Sequence, residues 1–367
     1  MEEFDRPPPV ELPAPTLKGR GAAGNVDHCF STERRQAEDD GWWHEEAADP
    51  RTRLHVDTAK TVISHNDSPD LPFDQSLNPY RGCEHGCIYC YARPTHAWLG
   101  LSPGLDFETQ IFHKPDAPRR LQEALAAPDY RCRPIALGTA TDAYQPAERR
   151  LGLTRAILQV MLERRHPVTV VTKSALICRD LDLWSELARR NLAQVAISLT
   201  SLNADLARQL EPRASAPPAR LEAIRHLAEA GVPVAVFTAP LIPALNDHEL
   251  EHLLAAARER GAQLASYTLL RLPHEVARLF KDWLDRHAPE KAARLMAVLY
   301  DLRGGKANDP RFGSRMHGLG HYADLIRQRF ALACRRLGLT SEWPALDCSA
   351  FSPPPPERPA QGQLSLF

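Results

Sequence analysis

Residues 76–100 read SLNPYRGCEHGCIYCYARPTHAWLG and hold three closely spaced cysteines, Cys83, Cys87 and Cys90. Their pattern is Cys-x3-Cys-x2-Cys, whereas the other five of the eight cysteines stand singly. Thiolates are the ligands that iron-sulfur clusters take, and a loop of this length can bring three sulfurs to three corners of a [4Fe-4S] cube. The fourth iron then has no protein ligand, so a substrate or a second cofactor can bind it.

Two other interpretations of this loop are open. A structural zinc ion needs a fourth ligand, for which His85 and His96 are near, although zinc ligands usually come as two spaced pairs and no second Cys-x-x-Cys exists. Three metal-free thiols are the remaining alternative. Gly82 and Gly86 favour the cluster, because glycine lets the backbone fold tightly around it.

The composition excludes several classes of protein. The chain has 367 residues, 43% of them hydrophobic and 25% charged, which is enough to bury a substantial core. No apolar run approaches the roughly 18 residues that a membrane span needs, and the acidic, proline-rich start is unlike a signal peptide. We therefore expect a cytoplasmic protein without membrane contact, in which the cysteines do not form a disulfide scaffold.

Charge is distributed unevenly along the chain. Residues 1–50 contain 5 Lys/Arg and 12 Asp/Glu, so the rest, with 40 Lys/Arg and 34 Asp/Glu, is net basic. Arginine outnumbers lysine by 38 to 7, and a guanidinium grips two phosphate oxygens at once. The body of the protein therefore suits an anionic partner, although a GC-rich codon bias gives the same excess of arginine.

Between residues 76 and 271, short β-branched runs alternate with longer stretches of helical periodicity. The predicted strands are 76–81, 135–140, 168–173, 195–200, 232–238 and 264–270, and the predicted helices are 147–165, 179–191, 217–231 and 246–261. Strands about 30 residues apart, each followed by a helix, predict an α/β fold of right-handed βαβ units around a parallel sheet. Periodicity does not separate a partial barrel from an open doubly wound sheet. On either, chemistry lies at the carboxyl ends of the strands.

The sequence divides into four parts. We expect residues 1–75 to form a partly disordered extension that wraps the core, with Trp42 and Trp43 as its anchor. Residues 76–271 are the strand-and-helix section, and 272–350 are a helical C-terminal region. The proline-rich residues 351–367 are expected to be a disordered tail.

The cysteine motif, with the aromatic Tyr89 just before its last thiol, resembles the signature loop of the radical S-adenosylmethionine (SAM) superfamily. The wider text NPYRGCEHGCIYCYAR, followed by DFETQIFHK, resembles the branch grouped with spore photoproduct lyase. The resemblance implies a partial (β/α)6 TIM-like barrel and a [4Fe-4S] cluster on the three cysteines, with SAM bound at the open iron. It further implies reductive cleavage of SAM to a 5′-deoxyadenosyl radical that abstracts hydrogen from the substrate, and an electron donor such as flavodoxin or ferredoxin.

The resemblance also implies which residues contact SAM. The superfamily often has a Gly-Gly-Glu-like segment for the SAM amino group after the second barrel strand; here this stretch is Gly138-Thr139-Ala140-Thr141-Asp142, so Asp142 or backbone carbonyls would replace the glutamate. The resemblance and the strand ends give further expected contacts: Lys173 to the SAM carboxylate, Ser198, Thr200 and Ser201 to the ribose, and Tyr89 to the adenine. The alternative in each case is an ordinary polar strand end or loop contact.

Fewer residues in the sequence indicate how a substrate would be bound or converted. Cys178 and Tyr144 follow predicted strands and are candidates for a radical relay, although a buried cysteine is usually only a small hydrophobe. Residues 308–317 are either a loop that closes over substrate or a solvated connector. Cys334 and Cys348 lack the grouped spacing that a second cluster would need.

The tail contains a separate motif, Gln363-Leu364-Ser365-Leu366-Phe367. Its leucines and phenylalanine have nothing local to pack on, so they suit a pocket of another protein. The text resembles the peptide by which bacterial replication and repair proteins bind the sliding clamp, and an inert tail is the alternative.

Three hypotheses follow. The first is a radical SAM enzyme that acts on nucleic acid, as in DNA repair, and is tethered to the clamp. The second keeps the radical chemistry but places it on a protein or small molecule. The third is a non-enzymatic iron-sulfur or zinc module that scaffolds a clamp complex.

Overall fold

The computed structural model describes residues 17–31 and 51–354. The predicted anchor, Trp42 and Trp43, lies outside the described residues, as does the motif at 363–367. The strands are β1 Arg53–Val56, β2 Ile63–His65, β3 Gln75–Leu77, β4 Tyr80–Arg81, β5 Gln110–His113, β6 Ile135–Leu137, β7 Val168–Thr172, β8 Ala193–Ser198, β9 Val234–Leu241 and β10 Leu264–Leu269.

The α-helices alternate with the later strands and then follow them. They are α1 Asp106–Thr109, α2 Ala117–Leu125, α3 Glu148–Leu151, α4 Leu153–Glu163, α5 Leu181–Arg189, α6 Ala204–Leu210, α7 Pro217–Glu229, α8 Leu250–Glu259, α9 Val276–His287, α10 Pro289–Leu302 and α11 Gly320–Leu337. Short 3-10 helices lie at Arg93–Leu99, Ala175–Asp180 and Asp247–Glu249.

A seven-stranded sheet in the order β10-β9-β8-β7-β6-β3-β2 forms the centre of the molecule. From β3 to β10 its neighbouring strands are parallel, and β2 joins β3 in the antiparallel direction. The predicted α/β fold, a partial (β/α)6 barrel with a helical C-terminal region, is confirmed. All six residues of β8 are buried, as expected for a parallel strand covered on both faces.

The helices bury one face each against this sheet. In α8, for example, Leu250, Leu253, Leu254 and Ala257 are buried, which is the spacing of an apolar helical stripe. Because each crossover returns the chain to the same side, the carboxyl ends of β6, β7, β8, β9 and β10 share one edge with the loop after β3.

The helical C-terminal region packs on two parts of the barrel. Helix α11 lies against α8. In a second core cluster, Phe280 and Trp283 of α9 pack with Cys87, Ile88 and Tyr89. The C-terminal region therefore supports the cysteine-containing loop directly.

The structure differs from the prediction in a small second sheet and in a divided helix. A three-stranded sheet of β1, β5 and β4 was not expected, because its strands have two to four residues and no clear alternation. The helix expected at 147–165 is divided into α3 and α4 at Gly152, whose φ is +64°.

None of the helices in the described part of the chain has the length and apolarity needed to cross a bilayer.

Candidate functional site

The three clustered cysteines lie on a loop, residues 82–93, that follows β4 at the carboxyl edge of the sheet. We call it the cysteine loop. Its backbone is bonded at both sides: the Cys83 amide donates to the Phe107 carbonyl at 2.9 Å, and the Ile88 amide donates to the Leu210 carbonyl at 3.0 Å. Cys83 and Cys87 are buried and Cys90 is half-buried.

A buried arginine holds the turn of this loop. Arg93 is fully buried and donates to the carbonyls of Gly86 at 3.1 Å and Cys87 at 2.9 Å. It also donates to two carbonyls of the following segment, Pro103 and Gly104, and to the Glu108 carboxylate at 2.6 Å. The charge of Arg93 is therefore paired, and the carbonyls that the turn exposes are satisfied.

The two glycines of the loop are required by close contacts. Gly82 and Gly86 have φ values of +79° and +68°. A Cβ on Gly82 would lie 2.8 Å from His96 Cε1, and one on Gly86 would lie 2.7 Å from Glu108 Oε2. This agrees with the expectation that the backbone here folds too tightly for a side chain.

The donor set fits an iron-sulfur cluster. Burial raises the pKa of all three thiols, and Cys83 is raised further by the nearby charges of Asp142, Cys87 and Cys90. The three sulfurs are thus close enough to repel one another as thiolates. A cationic metal centre is the group that would stabilise three buried thiolates at once.

The two histidines that a zinc site would use have other partners. The His85 ring lies 3.3 Å from Asp142 Oδ2, and His96 Nε2 lies 3.0 Å from the Gln110 carbonyl. Among the residues that the structure describes, no group of three His, Cys, Asp or Glu side chains is arranged so that it could hold a single metal ion.

A buried polar network lies beside the cysteine loop. The Tyr89 hydroxyl donates to Glu211, and the Thr200 hydroxyl donates to the same Glu211 oxygen at 2.5 Å. Arg220, also buried, donates to Glu211 and to the Ser198 carbonyl, the latter at 3.0 Å. Burial alone would raise the pKa of Glu211, but Arg220, Lys173 and the two hydroxyls lower it to about 2.

Lys173 extends its long cationic side chain into this network. Its Nζ donates to Ser198 Oγ at 2.7 Å and lies 3.9 Å from Glu211 and 5.8 Å from the centre of the Tyr89 ring. The structure therefore brings together four of the residues singled out in the sequence: Tyr89, Lys173, Ser198 and Thr200. We call these four, with Glu211 and Arg220, the strand-end network.

Asp142 supports this network through the backbone. Its carboxylate accepts from the Lys173 amide at 2.9 Å and from the Thr172 hydroxyl at 2.7 Å. Burial would raise the pKa of Asp142, but His85 and these two donors lower it to about 2. Both carboxylate oxygens are thus already bonded within the protein, which favours a backbone carbonyl over Asp142 as the replacement for the missing glutamate.

The remaining expected SAM contacts lie at the edge of the site. Gly138 has a φ of +73°, and the Thr139 hydroxyl accepts from Asn78 at 3.2 Å, while the Thr139 carbonyl accepts from the Tyr91 hydroxyl. Ser201 turns away from the network, because its hydroxyl donates to Glu249 at 2.7 Å.

The relay candidates are placed in the core. The Tyr144 side chain is fully buried and its hydroxyl accepts from Trp184 at 2.8 Å. Cys178 packs against the same main core, and burial raises the pKa of its thiol. Cys334 is buried in that core on α11, whereas Cys348 faces Cys132, so the structure does not bring Cys334 and Cys348 together.

Sequence reasoning missed the four charged residues on which the site depends: Arg93, Glu108, Glu211 and Arg220. Each is fully or almost fully buried. Arginine and glutamate normally indicate surface, and only the tertiary pairing shows otherwise. A local signal was present only for Arg93, which follows the last cysteine by three residues.

We predict that Glu211→Gln lowers the free energy of unfolding by about 3 to 5 kcal/mol, because it leaves the buried Arg220 without its counter-charge. Glu222→Gln is the matched control, since Glu222 forms exposed ion pairs with Arg225 and Arg260, and it should change stability little. The measurement is denaturant unfolding at neutral pH. The stabilisation from ionised Glu211 is present above its ordinary pKa of 4.5 and is lost as the pH falls towards 2. The free energies of unfolding of the two variants should therefore converge in acid. Equal stabilities at neutral pH would contradict this role.

Comparison with known proteins finds a matching family model and several similar sequences. Residues 77–257 match the family model of the Radical SAM superfamily. An uncharacterised protein of Mycobacterium tuberculosis is 35% identical over 292 residues, which cover 79% of this chain and 80% of that protein. One of Methanocaldococcus jannaschii is 27% identical over 214 residues, covering 58% of this chain and 76% of the relative.

Solved structures of similar fold include spore photoproduct lyase complexed with dinucleoside spore photoproduct, with a TM-score of 0.57, 16% identity and coverage of 79% of this chain and 82% of that chain. A mutant of the same lyase with bound AdoMet and the dinucleoside has a TM-score of 0.54, 15% identity and coverage of 79% and 81%. The resemblance seen in the cysteine motif is confirmed. The chain belongs to the radical SAM superfamily, whose members bind a [4Fe-4S] cluster and SAM, and it is a radical SAM enzyme.

Proposed function

We propose that Cys83, Cys87 and Cys90 hold the cluster and that the strand-end network binds SAM beside it. When bound, the two cofactors supply reductive cleavage of SAM to methionine and a 5′-deoxyadenosyl radical. The chain provides the position: Arg93 fixes the loop, Tyr89 packs along the adenine, and Ser198 and Thr200 face the ribose. The buried surroundings exclude water from the radical.

Lys173 pairs with the SAM carboxylate in this proposal. Its side chain is one-sixth exposed, and its ammonium lies beside Ser198 and Glu211. Lys173→Met should weaken SAM binding about 10- to 100-fold, the effect of losing a hydrogen bond to a charged group. Equilibrium dialysis with protein of matched iron content checks it, with the exposed Lys60→Met as control. If both variants bind SAM as the parent protein does, Lys173 has no such role.

We further propose that the substrate is a nucleic acid, with a reaction of the DNA-repair kind. The observation that carries this is a pair of aromatic and arginine contacts at the carboxyl edge of the sheet. Tyr91, next to Cys90, is 51% exposed, and the Arg271 guanidinium lies 4.9 Å from its ring centre. Exposed rings stack on bases, and arginines contact phosphates.

The loop at 308–317 extends the same surface. Phe312 is 58% exposed, with the Arg315 guanidinium 4.7 Å from its ring centre, and Arg315 is bonded to Asp70 at 2.7 Å. The buried Arg303 donates to the carbonyls of Ser314 and Arg315 and to those at the end of β10. The loop is thus fixed at the barrel mouth, where it would contact a bound strand. The fold shared with spore photoproduct lyase, which was solved with a dinucleoside photoproduct, gives independent support.

The test is formation of 5′-deoxyadenosine by anaerobically prepared enzyme with SAM and dithionite, alone, with an intact oligonucleotide and with a UV-irradiated one. We expect the irradiated oligonucleotide to increase product several-fold, because substrate binding energy is used in the reaction. Arg271→Ala should remove most of this increase, and Arg336→Ala, an exposed arginine on α11, should keep it. Full cleavage of SAM that no oligonucleotide changes would favour a protein or small-molecule substrate.

We also propose that Gln363, Leu364, Ser365, Leu366 and Phe367, which lie outside the described residues, bind the sliding clamp. The support is the sequence alone: apolar side chains in a polar, proline-rich segment. Such a tether would raise the local concentration of enzyme near DNA.

Deletion of residues 363–367 should abolish binding to a purified bacterial sliding clamp and leave SAM cleavage unchanged. Surface plasmon resonance measures the first and 5′-deoxyadenosine the second. Unchanged affinity for the clamp after the deletion would refute the tether.

A further inference from the structure

A basic cavity lies beside the cysteine loop. It has a volume of about 420 Å³ and is formed by residues 17–23, the end of α6 and the end of α9. Its walls include Lys18, Arg208, Arg286 and His287, and none of the described residues that line it is acidic. Lys18 and Arg208 are exposed and Arg286 is half-buried.

The ion pairs of α9 leave this basic character in place. Asp285 pairs with Lys281 at 2.7 Å, and the Arg286 side chain donates to the backbone carbonyl of Asp282. The Asp282 carboxylate interacts with Arg278, Arg286 and Lys281 together. The part of the chain that the structure describes therefore gives this cavity a positive lining.

One layer of backbone separates this cavity from the cysteine loop. A Cβ on Gly21 would lie only 1.9 Å from the Gly86 carbonyl oxygen, and a Cβ on Gly86 would lie 3.2 Å from Pro212 Cγ. Gly21 and Pro212 both line the cavity, and Gly86 lies between Cys83 and Cys87. The amides of Gly21 and Ala22 donate to Glu108, each at 2.9 Å, so this wall is fixed to the residue that pairs with Arg93.

We propose that the basic cavity is the docking surface for the acidic electron-transfer protein that reduces the cluster. The inference rests on the proposed function, because the cluster must receive one electron from outside the chain before SAM is cleaved. Electron-transfer encounters are small and transient, and complementary charge guides them. A positive surface next to the cysteine loop meets both needs: it attracts an acidic partner and places it close to the cluster.

A nucleic acid is the competing occupant of a positive surface. Within the ranges that the structure describes, no Phe, Tyr or Trp lines the cavity, so its described walls offer no ring for a base to stack on, unlike the surface around Tyr91 and Phe312. The cavity therefore suits acidic side chains of a folded protein better than a strand of nucleic acid.

The experiment compares the double variant Arg208→Glu/Arg286→Glu with Arg336→Glu. Arg336 is exposed near the end of α11. Shortly after this helix, the Thr340 amide donates to the carbonyl of Gln263, the residue before β10. This control therefore lies at the amino end of the barrel. An acidic flavodoxin is the probe, and its binding is measured by fluorescence anisotropy at about 0.1 M and about 1 M salt, where the screening length falls from about 10 Å to about 3 Å. A second readout is 5′-deoxyadenosine formed with reduced flavodoxin or with dithionite, which needs no docking.

We expect the double variant to bind flavodoxin about tenfold more weakly than the parent at low salt, and the difference to vanish at high salt. Flavodoxin-driven cleavage should fall with it while dithionite-driven cleavage stays at the parent level, and Arg336→Glu should match the parent in all assays. Equal binding by both variants overturns the docking site. The docking site is also overturned if the double variant loses oligonucleotide binding but retains flavodoxin binding. Absence of dithionite-driven cleavage in the parent protein would instead overturn the proposed function, whatever the binding result.

Discussion

The bonds of the Arg93 guanidinium are the constraint on which the rest of the site depends. They join two carbonyls inside the cysteine loop to two carbonyls and a carboxylate outside it. A buried carbonyl without a partner costs about 1 to 3 kcal/mol, so this one side chain decides whether the turn between Cys83 and Cys87 is stable. The thiols are thus positioned by the protein itself, which is the preorganisation that a cofactor site needs.

The strand-end network is built by the same principle. Arg220 and Glu211 are buried together, and their bonds reach the Ser198 carbonyl and the Tyr89 and Thr200 hydroxyls. A charged pair in the interior fixes these groups at the ends of neighbouring strands. Lys173 reaches into this arrangement from β7, and its ammonium lies beside Ser198, where an anionic group of a cofactor can meet it.

Much of the fold could be predicted from the sequence because its signals are local. The alternation of β-branched runs with amphipathic stretches located β6 to β10 and helices α4, α5, α7 and α8 to within a few residues, whereas α6 was not predicted. Gly231 and Gly261, with φ values of +75° and +99°, end helices as their positions indicate. The short strands β1 and β5 escaped prediction, since only pairing with each other and with β4 makes them strands. The strand predicted at 76–81 is divided into β3 and β4, which belong to different sheets.

The part of the candidate site that could be predicted is the part that the spacing of residues along the sequence indicates. Three cysteines in eight residues indicate a cluster without any knowledge of the fold, and strand ends indicated Lys173, Ser198 and Thr200. The buried charges of Glu211 and Arg220 could not be foreseen, because they face each other across nine residues of loop and helix. Ser201 and Tyr144 show the converse: a strand-end position does not fix the direction of a side chain.

Iron and sulfide analysis of anaerobically prepared protein tests the central claim most directly. The account predicts about four irons and four sulfides per chain in the parent protein and in Cys334→Ala, and loss of the cluster in Cys83→Ala, Cys87→Ala and Cys90→Ala. Equal iron content in all of these variants, or one tightly bound zinc in place of iron, would contradict it.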